Sequence, residues 1–131
     1  MDASFLWPMK RNIVQDKSYS FVIHVITLHK KLVEKKEYTL GRQLLRCGTS
    51  IAANVEEAIG GQSSRDFLAR MTIAYKESRE TLFWIRLLVD SGILEQEEVK
   101  GIMTDAQELM RILSSIQKTM KAKIQTTKSK P

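Results

Sequence analysis

Ser50-Ile-Ala-Ala-Asn-Val-Glu-Glu-Ala-Ile-Gly-Gly61, followed at once by Ser63-Ser64-Arg65-Asp66, is the stretch whose reading decides the fold. Small residues, two acids and a glycine pair read as the end of a helix, because glycine accepts the left-handed backbone that commonly follows a last turn. Ser63-x-x-Asp66 reads as a capping box that opens the next helix. One junction therefore fixes two helices and the turn between them.

Working outward, four helical segments emerge. The first runs from about Asp16 or Ser18 to Lys36, and the second from about Thr39 to Ile59. The third follows the Ser63 cap and runs to about Ser91, before Gly92; the fourth runs from about Gln96 to Ile124. Connections of a few residues make neighbouring helices antiparallel. The expected fold class is all-α, an antiparallel up-down-up-down four-helix bundle. Residues 1–15 are then an N-terminal extension, 16–124 the bundle and 125–131 a disordered basic tail.

Composition agrees with this reading. The 131 residues suffice for one domain with one core. The two prolines, Pro8 and Pro131, lie near the ends, so nothing breaks the interior. No alternating apolar run suggests a strand. The single cysteine, Cys47, excludes an internal disulfide and any multi-cysteine zinc site, and reads as buried filler. Residues 1–8 lack the pattern of a secretory leader, and no segment approaches the roughly 18 consecutive apolar residues of a membrane span. A cytoplasmic protein without membrane contact is the expectation.

Charge is unevenly placed. The net charge is +6 and the isoelectric point about 9.6. Lys118, Lys121, Lys123, Lys128 and Lys130 follow one another with no acid between them, and Lys10 and Arg11 lie near the other chain end. An antiparallel bundle brings both clusters to the same end. These seven residues are the candidate nucleic-acid-binding set, acting on phosphates and therefore sensitive to salt. The alternative is a solvated end that aids solubility. Aromatic residues are not interleaved with the basic ones, so stacking on single-stranded bases has no support.

The helix faces suggest assembly. The fourth helix carries one narrow apolar stripe: Val99, Ile102, Met103, Ala106, Leu109, Met110, Leu113, Ile116 and Met120. The first and third helices are wider. Phe21, Val22, Val25, Ile26, Leu28, Leu32 and Val33 form a core stripe, which Tyr19 and Ile23 extend. On the third helix Phe67, Met71, Ala74, Leu82, Ile85 and Val89 form one stripe, while Ile73, Phe83, Trp84 and Leu87 lie largely on another side. A bundle buries about one side of each helix, so a second stripe needs a partner. Tyr19, Ile23, Ile73, Phe83, Trp84 and Leu87 are the candidate oligomer interface. Gly41, Gly48 and Ala52 fall on one line of the second helix, where close approach of a neighbouring helix would offset glycine's cost of about 1 kcal/mol per site.

Signals for chemistry are weak. A carboxylate-bridged metal pair in a bundle needs Glu from two helices and Glu-x-x-His from two others. The chain has only His24 and His29, on one helix, and neither has a Glu three residues before it. His29 reads as a core histidine and His24 as a solvated one. Gly60-Gly61 lacks the Gly-Lys-Ser/Thr element of a phosphate loop. Arg46, Asn54, Glu57, Glu77 and Glu80 read as a structural polar network between helices two and three. No catalytic residue, cofactor or metal is expected.

The run Leu44-Leu-Arg-Cys-Gly-Thr-Ser-Ile-Ala-Ala-Asn-Val-Glu-Glu-Ala58 resembles the four-helix-bundle proteins encoded in 23S rRNA intervening sequences. Arg46, Ser50, Ile51, Ala52, Ala53, Asn54, Val55, Glu57 and Ala58 carry the central motif. Ser63, Asp66 and Phe67 continue it, followed by Ile73, Ala74, Lys76, Glu77, Ser78, Glu80, Thr81, Leu82 and Trp84. The resemblance implies a small bacterial bundle that assembles as a homopentamer. It also implies kinship in fold with accessory variability determinant proteins of diversity-generating retroelements, which bind nucleic acid and a reverse transcriptase through a basic surface. It supplies no catalytic residues. Ala58-Ile59-Gly60 departs from the glycine that many members carry directly after the acid, which lengthens the second helix by a turn. The functional expectation is a non-enzymatic oligomeric bundle that binds RNA or a nucleoprotein partner through basic helix ends. A protein–protein adaptor using the Trp84 face is the alternative, and a carboxylate metal protein the third reading.

Overall fold

A computed structural model describes residues 12–129, with side chains to Thr127. Four helices follow one another: α1 Ile13–Glu34, α2 Tyr38–Ile59, α3 Ser64–Asp90 and α4 Gln96–Ser129. α1 packs on α2 and α4, α3 packs on α2 and α4, and among the described residues the backbones of the diagonal pairs do not approach one another. That closed ring of neighbours is the antiparallel four-helix bundle. The α2–α3 contact is the most extensive and the α1–α4 contact the least. Among the described residues no helix is long and apolar enough to cross a membrane.

The helix ends explain where sequence and structure differ. α1 starts ahead of Asp16 because Asn12-x-x-Gln15 is a full capping box. Asn12 Oδ1 accepts from the Gln15 backbone at 2.9 Å, and Gln15 Oε1 accepts from the Asn12 backbone at 3.1 Å. At its other end Lys36 takes the left-handed conformation, φ 63°, with Lys36 N–H donating to the Val33 carbonyl and Glu37 N–H to that of Leu32. A lysine thus fills the place that glycine usually takes in this motif. Gly92, φ 80°, does the same after α3.

The glycine pair that marks the α2–α3 junction works differently from its sequence reading. Gly60 is right-handed, with φ −81° and ψ −1°. Gly61 serves close approach: a Cβ there would collide with the Asp66 carboxylate and sit 3.1 Å from the Ala58 carbonyl oxygen. Ser63 Oγ accepts from Asp66 N–H at 3.0 Å, capping α3, while the Asp66 side chain lies over Gly61. α4 continues past Ile124 to Ser129, beyond the end of its apolar pattern.

The core is built from Phe21, Val25, Leu28 and Leu32 of α1 and Leu44, Ile51 and Val55 of α2. Met71, Ala74, Ile85 and Leu88 of α3 and Ala106, Leu109 and Leu113 of α4 complete it. Each larger side chain contributes about 1.5–3 kcal/mol by leaving water. Ile26 and Val33, expected in the α1 core stripe, are instead 38% and 41% exposed. The core takes only the i, i+4, i+7, i+11 line from Phe21, and Ile26 and Val33 fall on its outer flank beside Tyr19. Gly48 lets α1 and α2 approach: Val25 fills the space that a Cβ would need. Gly41 likewise sits under His29 and Leu32.

Candidate interaction surfaces

Two exposed apolar stripes lie outside this core. On α1 they comprise Tyr19, Ile23, Ile26 and Val33; on α3, Ile73, Phe83 and Leu87, each more than a third exposed. Their positions around the helices are informative. Lys17 and His24 of α1 pair with Glu108 and Asp105 of α4 at 2.6 and 3.2 Å. The α1 stripe lies across the helix from those two residues, and so toward α2. On α3, Ile73 and Leu87 lie on the flank of Glu80, which bonds to α2. The α1 stripe together with Ile73 and Leu87 therefore frames the outer face of α2, while Phe83 turns the other way and lines a groove with Met103, Gln107 and Met110 of α4. Trp84 is half-buried, packs against the core and meets Phe83 edge-on, with ring centroids 5.1 Å apart. Its indole Nε1 is buried without a hydrogen-bond partner.

Polar groups bridge α2 and α3 along the same side. Arg46 Nη2 donates to Glu80 Oε2 at 2.6 Å, and Arg46 Nη1 lies 3.6 Å from Glu77 Oε2. Burial raises the Glu77 carboxyl above its ordinary pKa of 4.5; the Glu80 charge adds to this and Arg46 opposes it. The hydrogen bond to Glu80 holds the Arg46 guanidinium more firmly protonated. Asn54 Nδ2 donates to the carbonyl and hydroxyl of Ser50 at 2.8 and 3.0 Å, and Asn54 Oδ1 accepts from Arg70 at 3.5 Å. Glu57 is exposed and joins neither group among the described residues. Cys47 is buried, 3.1 Å from the Thr81 hydroxyl, and burial pushes its thiol pKa up. His29 is half-buried over Gly41. His24, read from sequence as merely solvated, leans on Asp105 beside a cleft of ≈ 240 Å³ between α1 and α4. Among the described residues no group of three or more His, Cys, Asp or Glu is placed to hold a metal ion.

Lys118, Lys121 and Lys123 are exposed on the last turns of α4. No acidic residue occurs from Leu109 to Pro131. Lys10, Arg11 and Lys130 lie outside the described residues, as does the side chain of Lys128. Arg65 joins the basic end, sharing a groove with Lys123 and Ile124. The sequence reading missed it because Arg65 sits inside a capping signal and belongs to no run of like charge.

The model of the family described as 23S rRNA-intervening sequence protein matches residues 10–115. The chain belongs to that family. A solved structure from Bacteroides thetaiotaomicron VPI-5482, described as a protein with unknown function from the S23 ribosomal protein family, is similar in sequence and fold. The two are 41% identical with a TM-score of 0.79, over 81% of this chain and 99% of that one. No curated protein matches. The residues that carry the family motif have identifiable work in the bundle. Ile51, Val55 and Ala58 fill the core, Arg46, Glu77 and Glu80 tie α2 to α3, and Ser63 caps α3.

Proposed function

We propose that the chain is a non-enzymatic homo-oligomer that binds RNA or a nucleoprotein partner through its basic end in the cytoplasm. The observation that carries the assembly is the pair of apolar stripes framing α2. Six large side chains on one side of a small bundle (Tyr19, Ile23, Ile26, Val33, Ile73 and Leu87) are costly to leave in water, and two separate stripes suit a contact in which one stripe meets the other on the next copy. The family resemblance sets the expected number at five. The basic end supports the second half of the reading, because Lys118, Lys121, Lys123 and Arg65 gather positive charge where a ring would repeat it around one rim.

Light scattering at micromolar concentration tests the assembly. Ile23→Glu should dissociate it while leaving the fold intact, since Ile23 is 49% exposed within one subunit. A monomer mass for the wild type removes the oligomer and favours the adaptor alternative. Filter retention of RNA tests the binding. Affinity should fall steeply between about 50 and 200 mM salt, and replacing Lys118, Lys121 and Lys123 together by Ala should flatten that dependence. Absence of retention at low salt leaves the basic end a solubilising feature.

A further inference from the structure

The acids in the middle of α3 and α4 are drawn to the other two helices. Glu77 and Glu80 face Arg46 of α2, while Asp105 faces His24 and Glu108 faces Lys17 of α1. The groove between α3 and α4 is left with positive charge. Lys76, Arg79 and Arg86 are exposed on α3, and none of them pairs with an acid among the described residues. Glu80 also lines the groove, but its carboxylate accepts from Arg46 at 2.6 Å. Asp90 and Glu97 line the neighbouring groove, beyond Arg86. In the other direction the α3–α4 groove leads to Arg65 and Lys123 at the basic end. From Arg86 to Arg65 the track follows about 32 Å of helix.

One aromatic side chain stands inside this basic track. Phe83 lies between Arg79 and Arg86 at helical spacing, so the three share one flank of α3. Its side chain is 45% exposed, and the edge contact with Trp84 holds the ring. Across the groove Met103 and Met110 of α4 supply an apolar wall, with the exposed amide of Gln107 between them, able to donate and to accept. An aromatic face among cations is what base stacking requires. Read along the chain, the basic residues have no aromatic interleaved with them; the juxtaposition exists only on the folded helix.

We propose that this groove binds single-stranded RNA, one base stacking on Phe83 while the phosphates on either side meet Arg79 and Arg86. The proposal rests on the RNA-binding reading above and gives it a stacking site apart from the basic end. A polynucleotide fits the groove better than an acidic helix of a protein does. The positive charge continues past the apolar wall to Arg65 and Lys123, and phosphates recur at every unit of a strand. Every base has a face to stack, and the methionine wall adapts to any of them, so little sequence preference is expected. A duplex keeps its bases stacked on one another and leaves Phe83 unused.

Fluorescence anisotropy of the full chain with single-stranded RNA of about 12 nucleotides tests the groove. Phe83→Leu keeps an apolar side chain but removes the stacking face, and at a half-exposed position it leaves the core intact. It should weaken binding about ten-fold without changing the salt dependence, and Phe83→Tyr should retain wild-type affinity. Arg79→Gln with Arg86→Gln should instead lower the slope of log affinity against log salt by about 1.4, two phosphates at ~0.7 each. A duplex of the same sequence should bind wild type and Phe83→Leu equally. Ultraviolet crosslinking to thiouridine-bearing RNA should mark the peptide that contains Phe83. Wild-type affinity and slope in all of these variants, with binding still weakened by the changes at Lys118, Lys121 and Lys123, overturn the groove and leave the basic end as the RNA site. A wild type that retains no RNA at low salt overturns both readings. Tighter binding of an acidic amphipathic peptide than of RNA, lost in Phe83→Leu, assigns the groove to a protein and also overturns the proposal.

Discussion

Replacing Gly48 by Ala tests how closely α1 and α2 approach. An added Cβ would lie 2.7 and 2.9 Å from the two methyls of Val25 and 3.2 Å from its Cβ. Comfortable carbon–carbon contact is about 3.5–4.0 Å, so the shortfall approaches ~1 Å. Val25 is fully buried, and a valine in a helix has one strongly preferred rotamer. Turning it would still leave its Cβ too close, so the α1 backbone must yield. Overpacking of this kind costs about 1–3 kcal/mol, against a gain of ~1 kcal/mol for alanine over glycine in a helix. The net expectation is a loss of ~1 kcal/mol, a fall in Tm of about 3–5 °C for a chain of this size. Gly101 is the control. It is exposed on α4, and a Cβ there would meet nothing within 4 Å, so Gly101→Ala should raise Tm by about 2–4 °C through helix propensity alone. In a Val25→Ala background the penalty at position 48 should shrink, because the clashing methyls are gone and only the 3.2 Å Cβ contact remains. Thermal melts at one protein concentration read all four variants. A Gly48→Ala chain that melts as high as Gly101→Ala would refute the close approach.

Further outcomes follow from the same contacts. Gly48→Leu adds three more carbons to the same clash and should destabilise by several kcal/mol, read by denaturant titration. Glu77 has its folded pKa raised above its ordinary 4.5, chiefly by burial, so protonation favours the folded state. Its contribution is therefore favourable at low pH and is lost as pH rises from about 4.5 through the folded value. Glu77→Gln should remove that fall in stability above pH ~4.5, and an unchanged pH profile of Tm would contradict the role. The Cys47 thiol, buried and with its pKa raised, should resist a thiol reagent in the native state and react at once in denaturant.

Much of this architecture was legible because helix punctuation is local. Ser63, Gly92 and the short connections placed three of the four helices within a few residues. The start of α1 was missed since Asn12-x-x-Gln15 precedes any sustained apolar period, and a capping box is visible only to a reader who already suspects a helix. The role of Gly60-Gly61 was misread because sequence cannot distinguish a glycine needed for backbone handedness from one needed for a neighbour's carboxylate. Ile26 and Val33 were assigned to the core because a helical wheel shows the width of an apolar arc but not where the neighbouring helices cut it. Glu77 and Glu80 were recognisable as bridging residues from their place beside the apolar face, but the choice of Arg46 over Arg70 or Arg79 as their partner came only with the packing of α2 on α3. Glu57 was grouped with them on type, yet its position on α2 turns it outward. The pairing of His24 with Asp105 depended on how α1 and α4 align, which no local pattern encodes.

The unequal helix contacts also have a consequence in time. α2 and α3 share the most extensive interface and are joined by a four-residue turn, whereas α1 and α4 meet least and are the most distant in sequence. Closing the α1–α4 seam gathers the longest loop for the smallest return, so it belongs late in folding, after an α2–α3 hairpin has formed. In reverse, the same asymmetry makes the α1–α4 seam the first to open, with α1 and α4 held about equally by their other neighbours. The amides of these two helices should exchange with solvent through a partial opening at lower free energy than those of α2 and α3, which should hold until the whole bundle unfolds.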